Sequence, residues 1–151
     1  MRTGQSTPAA THLIKLAAQA AIGLRPELKV FGTDYPTPDG TCIRDYIHVS
    51  DLVRAHSDAL RYLRNDGESA TFNCGYGRGF SVFEVIDTVK RVSGVDFQVD
   101  LAGRRPGDPA RIVAASDRAR QILHWVPRYD DLPMIVANAL EWEQKLRARN
   151  S

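Results

Sequence analysis

The sequence has few of the residues that would commit it to metal binding, disulfide bonding or membrane insertion. Its two cysteines, Cys42 and Cys74, have no metal-ligand spacing and could form at most one bridge, so we expect buried free thiols. No apolar run is long enough to span a bilayer, and residues 1–10 lack the apolar core of a secretory signal. These absences predict a cytoplasmic protein without a metal site or a membrane partner.

An excess of charge of one sign is also missing. Twenty Lys and Arg residues against eighteen Asp and Glu residues leave a formal net charge of +2. No overall field would therefore draw the chain to nucleic acid, and any anion must be recognised locally by particular arginines. With 151 residues, 43% of them hydrophobic, the chain is long and apolar enough for a real core.

Helix and strand patterns alternate along the chain, which indicates an α/β fold. Residues 1–10 are predicted to be a loose leader, and residues 11–151 a single domain. The expected strands are 28–31, 43–49, 70–73, 97–101 and 112–114. The expected helices follow N-caps at Thr11, Ser50, Ser81 and Ser116, and a last helix begins near Asp131.

Local signals bound two of these helices. Ser81 and Glu84 form a capping box, and Gly94 closes the helix that the box opens. The helix after Ser50 carries apolar residues at core spacing, including Leu60 and Leu63. We therefore expect this helix to bury one face.

The most informative stretch of the chain is 31–49. A strand ends at Phe31, a loop rich in Pro, Gly and Asp follows, and alternation along the next strand predicts one shared face for Arg44, Tyr46 and His48. A backbone edge and a guanidinium held apart by such a loop suit a particular kind of ligand. That ligand would have a flat hydrogen-bonding end and an anionic end.

Two further loops carry groups that could bind an anion. The loop 75–79 lacks the G-x-G-x-x-G spacing and the Gly-Lys-Ser/Thr ending of a P-loop, so a glycine turn is favoured over phosphate binding. A basic loop places Arg104 and Arg105 beside Asp108, where arginine suits diphosphate oxygens and aspartate suits ribose hydroxyls. Alone, such a loop is most often solvated. Together with Arg44, however, it could clamp one pyrophosphate.

No catalytic group emerges from the remaining polar residues. His48 and His56 have no Ser or Cys nucleophile at a recognisable spacing, and a structural role is favoured for both. Asp34 and Asp39 flank the central turn and are expected to bond its backbone amides rather than act as an acid/base pair.

These motifs together resemble the C-terminal part of the UDP-glucose 4-epimerase family, which belongs to the extended short-chain dehydrogenases/reductases. The longest matching signature is D-Y-P-T-x-D-G-T-x-x-R-D-Y-I-H-V, and it falls on residues 34–49. The other matching stretches are 12–14, 30–33, 50–52, 79–82 and 104–108. The resemblance implies a small mixed α/β substrate-binding domain without a complete Rossmann sheet.

In that family the enzyme interconverts UDP-glucose and UDP-galactose by oxidising and reducing C4 of the sugar with bound NAD. The resemblance implies that the backbone of residues 29–31 meets the uracil. It assigns the diphosphate to Arg44 and Arg105, and the ribose to Asp108. The full set that it assigns to UDP-sugar binding is His12, Leu13, Lys29, Phe31, Arg44, Arg105 and Asp108.

Two of the family's signatures are not found in these 151 residues. There is no G-x-x-G-x-x-G cofactor loop, and no tyrosine is followed at the fourth position by lysine. Both belong to the family's N-terminal Rossmann domain. The resemblance therefore implies the UDP-sugar-binding portion of an epimerase of galactose metabolism, with no NAD held by this chain and no turnover by the chain alone.

The alternative is a non-catalytic nucleotide-sugar-binding or interaction module derived from the same fold. In either case the elements within 43–63 pack against the Rossmann domain in relatives, so their apolar face would be exposed without it. A large bare apolar patch is rare on a soluble monomer. We therefore expect weak UDP-sugar binding and association with a Rossmann domain or a second copy.

Overall fold

The structure, a computed structural model, describes residues 4–7 and 9–150. It divides the chain into two compact units, of which the first contains residues 1–42, 81–110 and 132–151, and the second 43–80 and 111–131. Both contain helices and short strands, which confirms the mixed α/β class. Of the predicted leader, residues 1–3 and 8 lie outside the described residues.

In the part of the chain that the structure describes, the first unit contains three helices and a two-stranded parallel sheet. Its elements are α1 (Leu13–Ala21), β1 (Glu27–Phe31), α3 (Val82–Ser93), β4 (Gln98–Ala102) and α5 (Leu132–Asn150). In the sheet Glu27 pairs with Gln98 and Phe31 with Ala102. Alternation along β1 buries Leu28 and Val30, so the Lys29 side chain points outward.

The core of the first unit forms where its three helices pack on one another. The helix α1 buries alanines at four positions, and these small side chains let its neighbours approach closely. The helix α3 contributes Val85, Ile86 and Val89, all of them buried. Burying each of these aliphatic side chains contributes roughly 1.5–3 kcal/mol.

The second unit is organised around Trp125, which is 1% exposed. Its elements are β2 (Ile43–Arg44), α2 (Val49–Arg64), β5 (Arg111–Ile112) and α4 (Asp117–Ile122), and Phe80 of β3 (Phe80–Ser81) also belongs to it. The strands β2 and β5 are parallel, with Ile43 paired to Arg111. The core cluster around the tryptophan contains Ala55, Ala119 and Leu123, with Ile47, Ala59, Tyr62, Phe72 and Cys74 packed against it.

The predicted strand 43–49 is wrong beyond its first two residues. Strand pairing ends at Arg44, and α2 begins at Val49, so strand alternation does not define a shared face for Arg44, Tyr46 and His48. The physical reason is that Asp45 accepts hydrogen bonds from other loops, while His48 serves as the N-cap of α2. The His48 ring accepts a hydrogen bond from the Ser50 N–H at 3.0 Å.

Several other boundaries also differ from prediction. The N-cap of α1 is His12 rather than Thr11, and that of α2 is His48 rather than Ser50. Ser116 occupies the N-cap position of α4 without a side-chain capping bond. The capping box of Ser81 and Glu84 and the left-handed Gly94, at φ +70°, are confirmed.

The expected strand at 70–73 is absent from the described residues, and side-chain contacts take its place. The Phe72 ring meets the Tyr62 ring edge-on, with centroids 6.0 Å apart. The Thr71 carbonyl accepts a hydrogen bond from Arg118 instead of a strand neighbour. This segment is held by its side chains rather than by a backbone ladder.

Two α2 residues predicted at core spacing, Leu60 and Leu63, are not buried; they lie on an exposed apolar face, as expected where the Rossmann domain is absent. Leu60 is 50% exposed and Leu63 is 54% exposed. With Val49 and Val53, which are also more than half exposed, they follow a 4-7-3 spacing along one side of the helix. We call these four residues the α2 stripe.

Both cysteines are free thiols, as predicted, with Cys42 buried and Cys74 half-buried. Burial raises the pKa of the Cys74 thiol.

Over the described ranges, none of the helices combines the length and the apolar character that crossing a membrane requires.

Candidate functional site

The outer edge of β1 offers a row of backbone hydrogen-bonding groups. The Gly32 N–H donates to the Ala102 carbonyl at 2.9 Å, which extends the β1–β4 pairing by one residue. Backbone groups of successive strand residues point to opposite edges. Val30 and Gly32 therefore face β4, whereas the N–H and C=O groups of Lys29 and Phe31 point away from it. Within the described residues this sheet has only two strands, so no strand covers that edge.

Arg105 lies against the end of the same strand. Its guanidinium carbon is 3.8 Å from the centre of the Phe31 ring, which is a close cation–π contact. Among the residues that the structure describes, no carboxylate pairs with this guanidinium, and its N–H donors remain available to an anion. The Phe31–Arg105 pair thus combines a flat aromatic face with a positive charge.

A tight turn joins Arg105 to Asp108. The Asp108 N–H donates to the Arg105 carbonyl at 3.3 Å, with Pro106 at the second position and Gly107 at φ +78°. This is the pattern of a type II turn, in which proline sets the first central residue and glycine supplies the positive φ. The turn keeps the guanidinium and the carboxylate at its two ends.

The other predicted residues of the first unit lie in the middle of β1 and at the start of α1. Lys29 is exposed, and its Nζ lies 3.7 Å from Oε1 of Glu27 and 3.9 Å from Oδ2 of Asp100. His12 is exposed, and its Nδ1 is 3.0 Å from the Gln5 amide oxygen. Leu13 is half-buried at the first position of α1. The structure thus joins Phe31, Arg105 and Asp108 directly and adds Lys29 through the shared strand.

The loop after β1 is held by Asp39. Its carboxylate accepts from the Thr41 N–H at 2.9 Å and the Thr41 hydroxyl at 2.8 Å, and Ser81 donates to its other oxygen. Burial opposes ionisation, but these hydrogen bonds outweigh it and lower the pKa of Asp39. This confirms the structural role expected for Asp39. Asp34 differs from prediction, because its main partner is the Arg104 side chain.

Arg44 belongs to the second unit, where it lines a cleft of about 760 Å³. Ile112 shares this cleft, and Leu52, His56, Phe72 and Cys74 contribute to its wall. Arg44 also donates from Nη1 to the Ile43 carbonyl at 2.8 Å. The cleft therefore combines apolar side chains with the Arg44 guanidinium and the Asp45 carboxylate.

The glycine loop 75–79 does not fit a phosphate or a dinucleotide. Asp45 accepts from the Tyr76 N–H at 3.1 Å and from the Gly77 N–H at 2.9 Å, so a carboxylate takes the amides that a phosphate would need. A Cβ on Gly79 would lie 2.4 Å from the Ile43 side chain, which shows that this glycine serves close packing. The structure supports the glycine-turn interpretation.

The histidines fit the structural roles expected for them. His48 is buried, and its ring stacks on Tyr129 with centroids 4.7 Å apart. Burial lowers its pKa, although Asp51 acts in the opposite direction. His56 lies on the exposed side of α2, where its Nδ1 is 2.8 Å from the Leu52 carbonyl.

With this geometry in view, comparison with known proteins identifies the family. A family model described as GDP-mannose 4,6 dehydratase matches residues 2–137. The chain belongs to this family. Among curated relatives, the UDP-glucose 4-epimerase of Azospirillum brasilense is 61% identical over 145 residues, which cover 96% of this chain. The same residues cover 42% of the relative, so this chain spans less than half of the relative's length.

Solved structures agree with this placement. The UDP-Glc/GlcNAc 4-epimerase of Campylobacter jejuni has 54% identity and a TM-score of 0.82. The match covers 94% of this chain and 43% of the epimerase chain. The UDP-glucose 4-epimerase of Stenotrophomonas maltophila was solved with bound NAD and formylated UDP-arabinopyranose. It has 39% identity and a TM-score of 0.90, and the match covers 97% of this chain and 43% of the epimerase chain. The chain corresponds to the C-terminal portion of these proteins, as its motifs predict.

Proposed function

We propose that this chain is the UDP-sugar-binding portion of a UDP-glucose 4-epimerase acting in the cytoplasm. The proposal depends above all on the open edge of β1 next to the Phe31–Arg105 pair. One end of this site offers flat backbone hydrogen-bonding groups, and the other offers a guanidinium with which no carboxylate of the described residues pairs. A nucleoside diphosphate has the matching pair of ends.

Each residue then has a chemical task. The N–H and C=O groups of Lys29 and Phe31 bind the hydrogen-bonding edge of uracil, with the Phe31 ring beside the base. Arg105 binds the diphosphate, because a guanidinium can donate two parallel hydrogen bonds to phosphate oxygens. Asp108, at the far end of the turn, accepts hydrogen bonds from ribose hydroxyls.

Three further residues complete the proposed site. By its resemblance to the family, Arg44 is assigned a second guanidinium contact with the diphosphate. His12 and Leu13 approach the nucleotide from the start of α1. Relatives of known structure support a nucleotide ligand, since the Bifidobacterium longum UDP-glucose 4-epimerase, 36% identical to this chain, is described in complex with NAD+ and UDP.

NAD supplies hydride transfer at C4 of the sugar in the family enzyme, but the residues described here do not fit it. The glycine loop has its amides bound to Asp45, and no other glycine-rich loop in the described ranges precedes a helix. We therefore propose that the chain binds substrate without holding NAD, and that turnover requires the part of the relatives that it does not cover.

Calorimetric titration tests this proposal. We expect saturable UDP binding with a Kd in the high-micromolar to millimolar range, about −4 to −6 kcal/mol, because ordering a partial site offsets much of the contact energy. NAD, titrated in parallel, should give no binding. The chain alone should not convert UDP-glucose to UDP-galactose.

Arg105→Ala should weaken UDP binding at least about tenfold, since a charge-assisted hydrogen bond contributes roughly 1.5–3 kcal/mol. Arg44→Ala should weaken it as well. The control is Arg91→Ala, an exposed arginine on α3 outside the site, which should leave the Kd unchanged. Unchanged affinity in both Arg44→Ala and Arg105→Ala would refute the clamp, and no UDP binding at millimolar ligand would contradict the proposed function.

The exposed α2 stripe supports a second part of the proposal. We propose that it packs against a Rossmann domain of the epimerase type or, in its absence, against a second copy of this chain. Light scattering over a concentration series should show association, and Leu60→Glu combined with Leu63→Glu should abolish it. The control is Arg61→Glu, which changes charge beside the stripe while leaving its apolar surface intact. A monodisperse wild-type monomer at all concentrations would contradict this part.

A further inference from the structure

The neighbouring arginines of the basic loop have different surroundings. Arg105 stacks on Phe31 and has no carboxylate partner within the described residues. Arg104 donates from Nε to the Asp34 carboxylate at 2.7 Å and from Nη2 to the Asp34 carbonyl. Two of the donor directions of Arg104 are therefore occupied by one residue of the opposite loop.

An aromatic ring completes the surroundings of Arg104. Its guanidinium carbon lies 4.1 Å from the centre of the Tyr35 ring, and Tyr35 is 6% exposed. The Tyr35 hydroxyl has no hydrogen-bond partner among the described residues, so the ring rather than the hydroxyl makes the contact. Arg104 is thus held by a carboxylate, a carbonyl and a ring face.

Gly32 makes this packing possible. It adopts φ +80°, and a Cβ there would lie 2.5 Å from the Tyr35 ring and 2.8 Å from Cγ of Arg104. Any other residue would push both side chains away. Because Gly32 directly follows Phe31, the end of β1 and the anchor of Arg104 form one continuous structure.

We propose that Arg104 is a positioning residue: with Asp34 and Tyr35 it anchors the loop that carries Arg105, and so holds the Arg105 guanidinium over Phe31 to receive the diphosphate. The choice of diphosphate as the ligand rests on the proposed function. The positioning itself does not, since it concerns contacts within the chain.

Geometry favours this role over a simple surface ion pair. An exposed ion pair adds little to global stability. However, the planar guanidinium fork and the stacking face fix orientation in a way that lysine cannot reproduce. Arg104 and Arg105 are consecutive, so the direction of one constrains the backbone that presents the other.

A spectroscopic test separates the inference from the proposed function. In the wild-type chain, the ring current of Phe31 should shift the side-chain Hδ protons of Arg105 upfield. Arg104→Lys and Asp34→Asn should each move these signals toward their random-coil positions. Tyr35→Phe keeps the ring and should leave them unchanged. Amide spectra of each variant confirm the fold, and two independent variants guard against failure of either one.

The matched control is Arg118→Lys. Arg118 also lies over an aromatic ring, that of Phe72, at 5.3 Å, and also donates to a backbone carbonyl, but it lies in the second unit. It should leave the Arg105 signals in place. Arg105 signals that do not change in Arg104→Lys or in Asp34→Asn would overturn the inference.

UDP affinity gives the second readout. Arg104→Lys and Asp34→Asn should raise the Kd for UDP about 3–10-fold, because the Arg105 side chain would then have to be ordered on binding. In an Arg105→Ala background neither should have a further effect. Tighter binding by Asp34→Asn would overturn the inference, because it would mean that Asp34 withholds Arg104 from the ligand. If the wild type binds no UDP while the Arg105 signals depend on Arg104, the positioning role stands and the proposed function fails.

Discussion

Asp51→Ala should lower the free energy of unfolding of the second unit by about 3–5 kcal/mol, since it leaves one buried and two part-buried donors unsatisfied, and a buried unsatisfied donor costs roughly 1–3 kcal/mol. The Asp51 carboxylate is fully buried and accepts from the Tyr76 hydroxyl at 2.8 Å, the Arg128 N–H at 2.9 Å and the Tyr129 N–H at 2.8 Å. Alanine would leave all three donors without a partner. Asp51 thus ties α2 to the glycine loop and to the segment after α4.

The two tryptophans allow the loss to be measured in the second unit. Trp125 lies in its core and donates to the Asp51 carbonyl at 3.0 Å, whereas Trp142 lies in the first unit. In a Trp142→Phe background, fluorescence during urea unfolding therefore reports on Trp125 alone.

The control is Asp58→Ala on the same helix. Asp58 pairs with the exposed Arg61 at 3.0 Å, and such surface pairs are worth at most about 1 kcal/mol. Equal losses in Asp51→Ala and Asp58→Ala would show that the buried hydrogen bonds do not stabilise the unit.

The role of Asp51 also shows why some of the fold could not be predicted from the sequence. At the start of α2, Asp51 looks like a favourable charge in the first helical turn, and that interpretation is local. Its partners Tyr76, Arg128 and Tyr129 are 25 to 78 residues away. No residue spacing in the sequence predicts this set of hydrogen-bond partners.

Elements with local signals were predicted well. The helix α3 has both ends marked in the sequence, by a capping box and by a glycine in the left-handed region, and the structure confirms both. The strand β1 follows from a short alternating run that ends at Phe31. The segment 45–48 was not predicted, because Asp45 bonds amides 31 and 32 residues away instead of continuing a strand.

The candidate site divides in the same way. The turn from Arg105 to Asp108 could be predicted, because Pro106 and Gly107 carry its signal in the sequence. The contact of Arg105 with Phe31 could not, since it needs the parallel pairing of β1 and β4. The Asp34–Arg104 pair spans 70 residues, and its sequence signal is a positive charge in an apparently solvated loop.

Glu143→Ala should destabilise the first unit by roughly 3–5 kcal/mol, the usual cost of leaving one buried charge unpaired. The Glu143 side chain is 5% exposed and forms an ion pair with Lys15, whose side chain is 10% exposed. Its second oxygen accepts from the Gln19 amide at 3.0 Å. This pair joins α5 to α1, so its loss would leave the Lys15 ammonium group between the two helices without a carboxylate, with only a long hydrogen bond of 3.5 Å to the Gln5 carbonyl.

The double variant separates charge from packing. Replacing both partners, as Lys15→Met with Glu143→Leu, should restore most of the lost stability, because two apolar side chains carry no desolvation penalty. The matched control is Glu141→Ala, two residues earlier on α5, where the partner Lys145 is about half exposed. Glu141→Ala should lower the free energy of unfolding by only a small fraction of the decrease that Glu143→Ala causes. Amide hydrogen exchange in α1 and α5 measures all three variants, and a double variant as unstable as Glu143→Ala would show that packing rather than the unpaired charge sets the loss.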